Sequence, residues 1–246
     1  MLIKLRVSCG LLLIAVLSLL LPHKITAQPS SSITLLNPGE GSRVISPVMI
    51  YGEIFPGGDN LIRVTLIDQQ NNLISRKLIR VDPLEGLPFQ FITTLPFEIP
   101  LENTPAFLTV AVQDEYHRLQ TLRSIPLILQ SNGQTSLHNQ PPIFDWLTIK
   151  QPQPGETLSG GQFLATGRVI PLNGNPIMFE LATESGSIVG TSQLAVETPK
   201  QAVDFELSIA YDFITDERNV RLIIRQRSDE FASDMILDSV PIILLP

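Results

Sequence analysis

A six-residue run occurs twice in this chain and closes two similar halves. Residues 124–129 read Ser-Ile-Pro-Leu-Ile-Leu, and residues 239–244, which lie 115 positions later, read Ser-Val-Pro-Ile-Ile-Leu. Both runs are short, apolar and rich in β-branched side chains, and each carries a proline, which strands tolerate at their beginning or at a sheet edge. We therefore predict that each run is the last strand of a domain.

The rest of the two halves repeats in the same order. The segment Ala165-Thr166-Gly167 matches Ile50-Tyr51-Gly52, residues 177–182 match residues 62–67, and Phe205-Glu206 matches Phe97-Glu98. Short alternating apolar runs are separated by turn signals every 8 to 12 residues or so, which is typical of a β-sandwich. An ordered series of matches indicates tandem domains, because two copies are too few for a solenoid. The predicted boundaries are a first sandwich over 33–130, a linker over 131–142 and a second sandwich over 143–246.

The first residues have the composition of a secretory signal peptide. Lys4 and Arg6 precede an apolar run over 11–21, and the small residue Ala27 follows a short polar stretch. This run is shorter than the roughly 20 residues that a spanning helix needs, so we expect cleavage after residue 27 and a secreted or extracytoplasmic protein. An uncleaved membrane anchor is the alternative. Lipid attachment through Cys9 is not expected, because this cysteine lies at the front of the apolar run rather than after it.

The charge balance argues against a nucleic-acid partner. The chain has 17 basic and 24 acidic residues, and removal of residues 1–27 takes away three of the basic ones and none of the acidic ones. Binding to phosphate backbones relies on clustered Lys and Arg. Arg221, Arg225 and Arg227 alternate along a predicted strand, which is the pattern of a solvated strand face. Without Cys9 the processed chain has no cysteine, so its cores must be stable without disulfides.

The chain offers little for catalysis, and we predict that it is not an enzyme and has no cofactor. After processing, only His117 and His138 could serve as imidazole bases. His138 falls in the predicted linker and His117 in a predicted hairpin loop, and no Gly-x-Ser-x-Gly nucleophile motif accompanies either.

Acidic side chains gather in two predicted loops of the second half. Calcium takes several oxygen ligands from such loops, but the Asp-x-Asp-x-Asp-Gly pattern is missing, and solvated acidic loops are the more ordinary case. We therefore predict no metal site, with calcium as the alternative. The residues in question are Asp212, Asp216, Glu217, Asp229, Glu230 and Asp234.

Trp146 and Phe144 allow two interpretations. An exposed pair of aromatic rings is a stacking platform for carbohydrate. The interpretation that we favour is that Trp146 packs where the linker meets the second domain and anchors that junction.

Several motifs of the first half carry a resemblance to a known family. They are Ser46-Pro47 followed by Gly52, an alternating strand that ends in Asp68, the segment Pro96-Phe97-Glu98, and the closing Ile125-Pro126-Leu127. This pattern resembles the bacterial immunoglobulin-like domain that accompanies spore-germination modules (Gmad2-like), here in two tandem copies. The resemblance implies two immunoglobulin-like antiparallel β-sandwiches and an extracytoplasmic setting, and it brings no catalytic residues.

These observations predict a non-catalytic binding or structural module of the bacterial cell envelope. We expect the partner to be another envelope or secreted protein, bound through sheet edges or loops, and a carbohydrate- or cell-wall-binding module is the alternative. An edge can pair with an extended segment through main-chain hydrogen bonds. Prolines 47, 126 and 241 partly protect the strands that carry them, so we predict the binding edge at the alternating strand over 61–68 or its counterpart over 177–183. The side chains that mark it are Ile62, Val64, Leu66, Ile177, Phe179 and Leu181.

Overall fold

The computed structural model describes residues 33–82, 87–138, 146–212, 216 and 218–246. Within those ranges the chain forms sixteen β-strands and no helix, so the prediction of an all-β fold is confirmed. No helix that is long and apolar enough to cross a membrane occurs among these residues. The predicted signal peptide lies outside the described residues. We call residues 33–138 the first half and residues 146–246 the second half.

The first half contributes eight strands to two sheets. They are β1 (Ile33–Asn37), β2 (Arg43–Ile45), β3 (Val48–Ile54), β4 (Leu61–Asp68), β5 (Leu73–Arg80), β6 (Phe89–Leu95), β7 (Asn103–Gln113) and β8 (Leu119–Gln130). Strands β1, β3 and β6 form a three-stranded antiparallel sheet in that order. Strands β5, β4, β7 and β8 are successive neighbours in a long sheet, and the short β2 runs parallel to the end of β8.

The second half repeats this plan with its own eight strands. They are β9 (Leu147–Gln151), β10 (Thr157–Leu158), β11 (Gln162–Val169), β12 (Ile177–Thr183), β13 (Ile188–Leu194), β14 (Val203–Ala210), β15 (Arg218–Arg227) and β16 (Asp234–Leu244). Strands β14, β11 and β9 form the second three-stranded sheet, and β13, β12, β15 and β16 continue the long sheet. The short β10 runs parallel to the end of β16, as β2 does to β8.

Each half has an apolar core between its three-stranded sheet and its part of the long sheet. In the first half Ile50 and Ile54 of β3 belong to the same buried cluster as Ile62, Leu108 and Leu127 of the long sheet. Strand alternation explains this, because every second side chain of β4 points to one face. Two antiparallel layers around one core fit the predicted β-sandwich.

The core of the second half is built in the same way. Val169 and Phe205 come from the three-stranded sheet, and Phe179, Leu222 and Ile242 come from the long sheet. The rings of Phe179 and Phe205 meet edge to face across the two layers, with centroids 5.3 Å apart. Aromatic pairs prefer this geometry to a face-to-face sandwich.

A glycine under a phenylalanine ring occurs at the same place in both three-stranded sheets. Gly52 pairs with Phe91, and Gly167 pairs with Phe205. A Cβ on Gly52 would lie 2.8 Å from the carbonyl oxygen of Thr34, and one on Gly167 would lie 2.2 Å from that of Thr148. The counterpart of Phe205 is therefore Phe91, and the sequence match of Phe205 to Phe97 was wrong.

The two closing strands pair with each other and join the halves in one long sheet. Leu122 of β8 lies opposite Leu237 of β16 in an antiparallel register, flanked by Arg123 opposite Ile236 and Thr121 opposite Asp238. Leu122 and Leu237 are 115 positions apart, which is the repeat offset, so each leucine faces its own counterpart. Such self-complementary pairing has the symmetry of an isologous dimer interface, here within one chain.

The prolines of the repeated run stand where each closing strand changes its neighbour. Strand β8 pairs with β16 at residues 121–123 and with β2 at residues 128–130, so Pro126 lies in the gap. Pro241 lies in the equivalent gap between residues 236–238 and 243–244 of β16. A proline has no N–H to donate, and in this gap the described residues place no strand on that side to accept a hydrogen bond. The closing strands were predicted correctly, and their prolines lie inside them rather than at their beginnings.

A third apolar cluster lies at the contact between the halves. It contains Ala111 and Leu122 of the first half and Ala182, Ile223 and Leu237 of the second. Beside it the rings of Phe107 and Phe231 stack, with centroids 3.9 Å apart. The halves are therefore held together by buried apolar surface as well as by strand pairing.

An ion-pair network lies next to this cluster. Asp114 accepts hydrogen bonds from the Nε atoms of Arg118 at 2.8 Å and Arg221 at 3.0 Å, and Arg118 also donates to the carbonyl oxygen of Ala182 at 3.1 Å. All three charged side chains are buried. Burial by itself raises the pKa of Asp114, but hydrogen bonds from Arg118 and the charges of Arg221 and Arg118 outweigh it and hold the pKa below its usual value. The network fixes the turn between β7 and β8 to the second half.

The beginning of the predicted linker lies along the first half. Ser136 and Arg43 exchange main-chain hydrogen bonds of 2.8 and 2.9 Å, and Gly39 donates to the carbonyl oxygen of His138 at 3.1 Å. The main-chain nitrogen of His138 donates to Ser42 Oγ at 2.9 Å. Residues up to 138 are thus bonded to the first half, and residues 139–142 lie outside the described residues.

Candidate interaction surface

The two strands that were predicted as binding edges lie inside the long sheet. Strand β4 is paired on one side with β5 and on the other with β7, and β12 is paired with β13 and β15. The predicted edge is therefore wrong, because alternation with one buried face occurs in inner strands as well as in outer ones. The six marker side chains are all fully buried in the two cores, namely Ile62, Val64, Leu66, Ile177, Phe179 and Leu181.

The long sheet ends instead at β5 and β13. Each is the hairpin partner of the strand that was predicted as the edge, so the two outer strands are counterparts in the repeat. Within the described residues neither is paired with a further strand. Outer strands leave a row of main-chain N–H and C=O groups that another extended chain can bond.

Strand β13 is the less accessible of the two. The main-chain nitrogen of Asp212 donates to the carbonyl oxygen of Val189 at 2.8 Å, so the segment just after β14 occupies part of this edge. A Cβ on Gly190 would lie 2.5 Å from the carbonyl oxygen of Ala210, which shows how closely the two segments approach. Strand β13 also carries no charged side chain.

Strand β5 carries a basic and partly apolar outer face. Arg76 is paired with Thr65, Leu78 with Arg63 and Arg80 with Leu61, so these three β5 side chains share the face turned away from the core. All three are exposed, with 59% of Leu78 accessible. Successive same-face positions along a strand are about 7 Å apart, so two cations flank one apolar side chain.

The other face of β5 is tied to the neighbouring three-stranded sheet. Lys77 Nζ donates to the carbonyl oxygen of Thr94 at 3.1 Å, and Ser75 Oγ donates to that of Pro96 at 2.6 Å. These bonds connect β5 with the strand β6 and with the segment after it. They hold the outer strand in place while its outer main-chain edge stays without a paired strand in the described residues.

An open cleft lies at the beginning of β5. Its volume is about 530 Å³, and its walls include Leu73 and Ile74 of β5 and the acidic side chains Asp68 and Glu98. Asp68 organises the turn that leads into β5, because its Oδ1 accepts the main-chain N–H groups of Gln70 at 2.9 Å and Asn72 at 2.8 Å. Hydrogen bonds from the side chain and backbone of Asn72 lower the pKa of Asp68, so this end of the edge stays anionic.

Trp146 is buried and does not form a stacking platform. It belongs to the core of the second half, and its Nε1 donates to Asp238 Oδ2 at 2.5 Å. The prediction that Trp146 packs rather than forming a platform is therefore confirmed. The junction with the linker and Phe144 lie outside the described residues. Arg123, the repeat counterpart of Asp238, is also buried, and burial lowers its pKa to about 10 although Asp238 and Glu40 favour its charged form.

The histidines occupy structural positions. His117 has a positive φ of 64° in the turn between β7 and β8, and its main-chain nitrogen donates to the carbonyl oxygen of Asp114 at 3.0 Å. The Nδ1 atom of His138 lies 3.0 Å from the carbonyl oxygen of Glu40.

The acidic loops are engaged in part with neighbouring polar groups. Asp229 accepts a hydrogen bond from Asn175 Nδ2 at 2.7 Å, and Asp234 accepts one from Arg225 Nη1 at 3.0 Å. Arg225 also donates hydrogen bonds to the Glu180 carboxylate, and these bonds raise the pKa of Arg225. In the part of the chain that the structure describes, no three His, Cys, Asp or Glu side chains are grouped so that they could hold a metal ion. Glu217 lies outside that part.

Comparisons with known proteins leave the family of this chain open. No protein-family model matches it, and no curated protein matches it. Among solved structures, latent dimeric PorU from Porphyromonas gingivalis is 11% identical with a TM-score of 0.28, and the match covers 92% of this chain but 21% of the PorU chain. The collagen adhesin of S. aureus is 7% identical with a TM-score of 0.18, over 89% of this chain and 93% of the adhesin. The chain therefore spans about a fifth of the PorU chain that it is compared with.

Proposed function

We propose that this chain is a non-catalytic protein-binding module of the bacterial cell envelope that adds an extended segment of another protein to strand β5. The module consists of two tandem immunoglobulin-like β-sandwiches, exported by the signal peptide at residues 1–27. The Gmad2-like sequence motifs support this assignment, as does the two-layer arrangement of each half. The activity needs neither metal nor cofactor.

One observation carries the proposal, namely the unequal accessibility of the two outer strands. They are counterparts in the repeat, yet Val189 of β13 accepts a main-chain hydrogen bond from Asp212, just after β14. The outer main chain of β5, by contrast, bonds no strand in the described residues. Strand addition supplies affinity through main-chain hydrogen bonds and specificity through alternate side chains. Strand β5 offers both, because Arg76, Leu78 and Arg80 stand beside its outer edge.

A photo-crosslinking amino acid at position 78 tests the proposal in intact cells of the native host. We expect a protein adduct whose crosslinked peptide, identified by mass spectrometry, maps to one extended segment of the partner. Position 164 is the matched control, because Leu164 is also exposed, at 44%, but lies on β11, the middle strand of a three-stranded sheet. Adducts with polysaccharide alone, or the same adducts at both positions, would show that β5 is not a protein-binding edge.

A further inference from the structure

The geometry of β5 also points to the kind of segment that it binds. We propose that β5 takes an extended segment with two acidic residues four positions apart and an apolar residue midway between them. This inference rests on the proposed function, since it names the partner of the same edge. It follows from the pairing of side chains across neighbouring strands and from the charges that the edge leaves available.

The side chains of an added strand lie opposite those of β5 on each face. In an antiparallel pair, opposite residues have Cβ atoms about 4.5–5.5 Å apart, and opposite charges or apolar side chains at such positions stabilise the pair. On the outer face, β5 presents Arg76, Leu78 and Arg80 in register with regular pairs of β4. The complementary order on the partner is acidic, apolar and acidic at every second position.

The two arginines are available for a partner. Neither the Arg76 nor the Arg80 side chain forms an ion pair or hydrogen bond with another described residue, unlike Arg63, whose side chain binds Asp59 at 2.5 Å. They are two exposed positive charges on a chain whose formal net charge is −7. Two available cations on an acidic protein favour an anionic ligand and repel a basic one.

The opposite end of the edge gives the segment a direction. The cleft beside Leu73 and Ile74 is lined by Asp68 and Glu98, so a carboxylate there would meet like charges. The acidic residues of the partner therefore belong at the Arg80 end, and the end that reaches the cleft is apolar or basic. The acidic, apolar, acidic order reads the same in both directions, so it is the residue at the cleft end that discriminates between the two orientations of an added strand.

Synthetic peptides test this pattern on the full chain. We would measure by fluorescence anisotropy the binding of a labelled peptide Thr-Thr-Glu-Thr-Val-Thr-Glu-Thr-Thr and of the same peptide with lysine in place of both glutamates. Each glutamate would lie opposite an arginine and attract it, whereas each lysine would repel it. At low salt we therefore expect the glutamate peptide to bind about tenfold more tightly than the lysine peptide. The double variant R76E/R80E should reverse the preference. The variant R168E should leave it unchanged, because Arg168 is exposed on β11, which belongs to a different sheet in the other half of the chain.

Peptides with N-methyl groups at alternate residues test strand addition to β5 separately from the acidic side-chain pattern. Methylation on the residues whose N–H groups face β5 should abolish binding, and methylation on the intervening residues should leave binding intact. If both methylated peptides bind like the parent, strand addition itself is wrong. If methylation acts as expected but the glutamate and lysine peptides bind equally, strand addition stands and the acidic pattern is wrong. Failure of the acidic peptide to bind at millimolar concentration overturns the acidic pattern as well.

Discussion

At the scale of single residues, the glycine under the phenylalanine ring sets how closely two strands approach. A Cβ at position 167 would lie 2.2 Å from the carbonyl oxygen of Thr148 and 2.7 Å from the ring of Phe205. We expect Gly167→Ala to lower the free energy of unfolding by about 2 kcal/mol, as overpacking of a filled core does. Urea unfolding measures the loss. Gly174→Ala is the control, because nothing lies within 4 Å of its added Cβ, and an equal loss in both variants would refute the packing argument.

The buried Asp114 makes a second prediction at this scale, now for pH dependence. Its pKa is held below the usual 3.8, so its contribution to stability is present at neutral pH and is lost as the pH falls below about 4. Asp114→Asn leaves Arg118 and Arg221 buried without their carboxylate, and we expect a loss of about 3 kcal/mol at pH 7. Urea midpoints from pH 7 to pH 2.5 should converge for the two proteins, because protonated Asp114 and Asn are nearly alike. A constant difference across this range would exclude the ionic explanation.

The sequence predicted some of these residues and not others, for physical reasons. Gly52 and Gly167 were matched correctly, because a glycine within an apolar strand is conspicuous. The repeat counterpart of Phe205 was misassigned to Phe97, since Phe89, Phe91 and Phe97 follow one another closely in the sequence. Only the ladder between β3 and β6 decides which ring covers the glycine, and a one-dimensional pattern does not contain that register.

At the scale of strands, the sequence feature that marks an outer strand of this sheet is its charged side chains, not its alternation of apolar and polar residues. Strand β4 has the clean alternation of a strand with one buried face, and it is an inner strand. Strand β5 has Arg76, Lys77 and Arg80 and a weaker apolar pattern, which is how natural proteins protect an exposed edge. The order of strands across a sheet depends on which neighbours they find in space, so alternation alone could not identify the outer ones.

The same cations should keep two copies of this chain from joining at β5. Antiparallel pairing of two β5 strands would bring arginines of one copy close to those of the other, which costs free energy. We expect the variant R76T/R80T to self-associate at concentrations where the natural chain does not, as measured by sedimentation velocity. Arg168→Thr is the control on another sheet. Unchanged sedimentation of R76T/R80T would show that the arginines have no protective role at the edge.

At the scale of the whole molecule, the two halves form one sheet rather than two modules on a string. The repeat predicted two sandwiches, and each half does have its own core. The repeat did not predict the pairing of β8 with β16. The apolar closing runs indicate that each is a strand, but they do not indicate which strand lies beside it. Leu122 and Leu237 meet at the centre of that pairing, and Asp114, Arg118 and Arg221 lie beside it.

This arrangement predicts that the halves unfold together. Trp146 is the single tryptophan and reports on the second half, whereas far-ultraviolet circular dichroism reports on the strands of both. In the natural chain we expect the two signals to follow one urea transition, because the third apolar cluster and the ion-pair network couple the cores. Leu237→Asp places an unpaired carboxylate among Ala111, Leu122 and Ile223, which costs about 3 kcal/mol or more at the contact between the halves.

In this variant the tryptophan and circular dichroism transitions should separate, since each half then unfolds according to its own core. Leu164→Asp is the control, because Leu164 is 44% exposed and lies outside all three apolar clusters. Coincident transitions in Leu237→Asp, shifted to lower urea without separating, would mean that the two cores are not independent units. The 33–138 and 146–246 halves would then unfold as a single cooperative domain, although the sequence repeat is present.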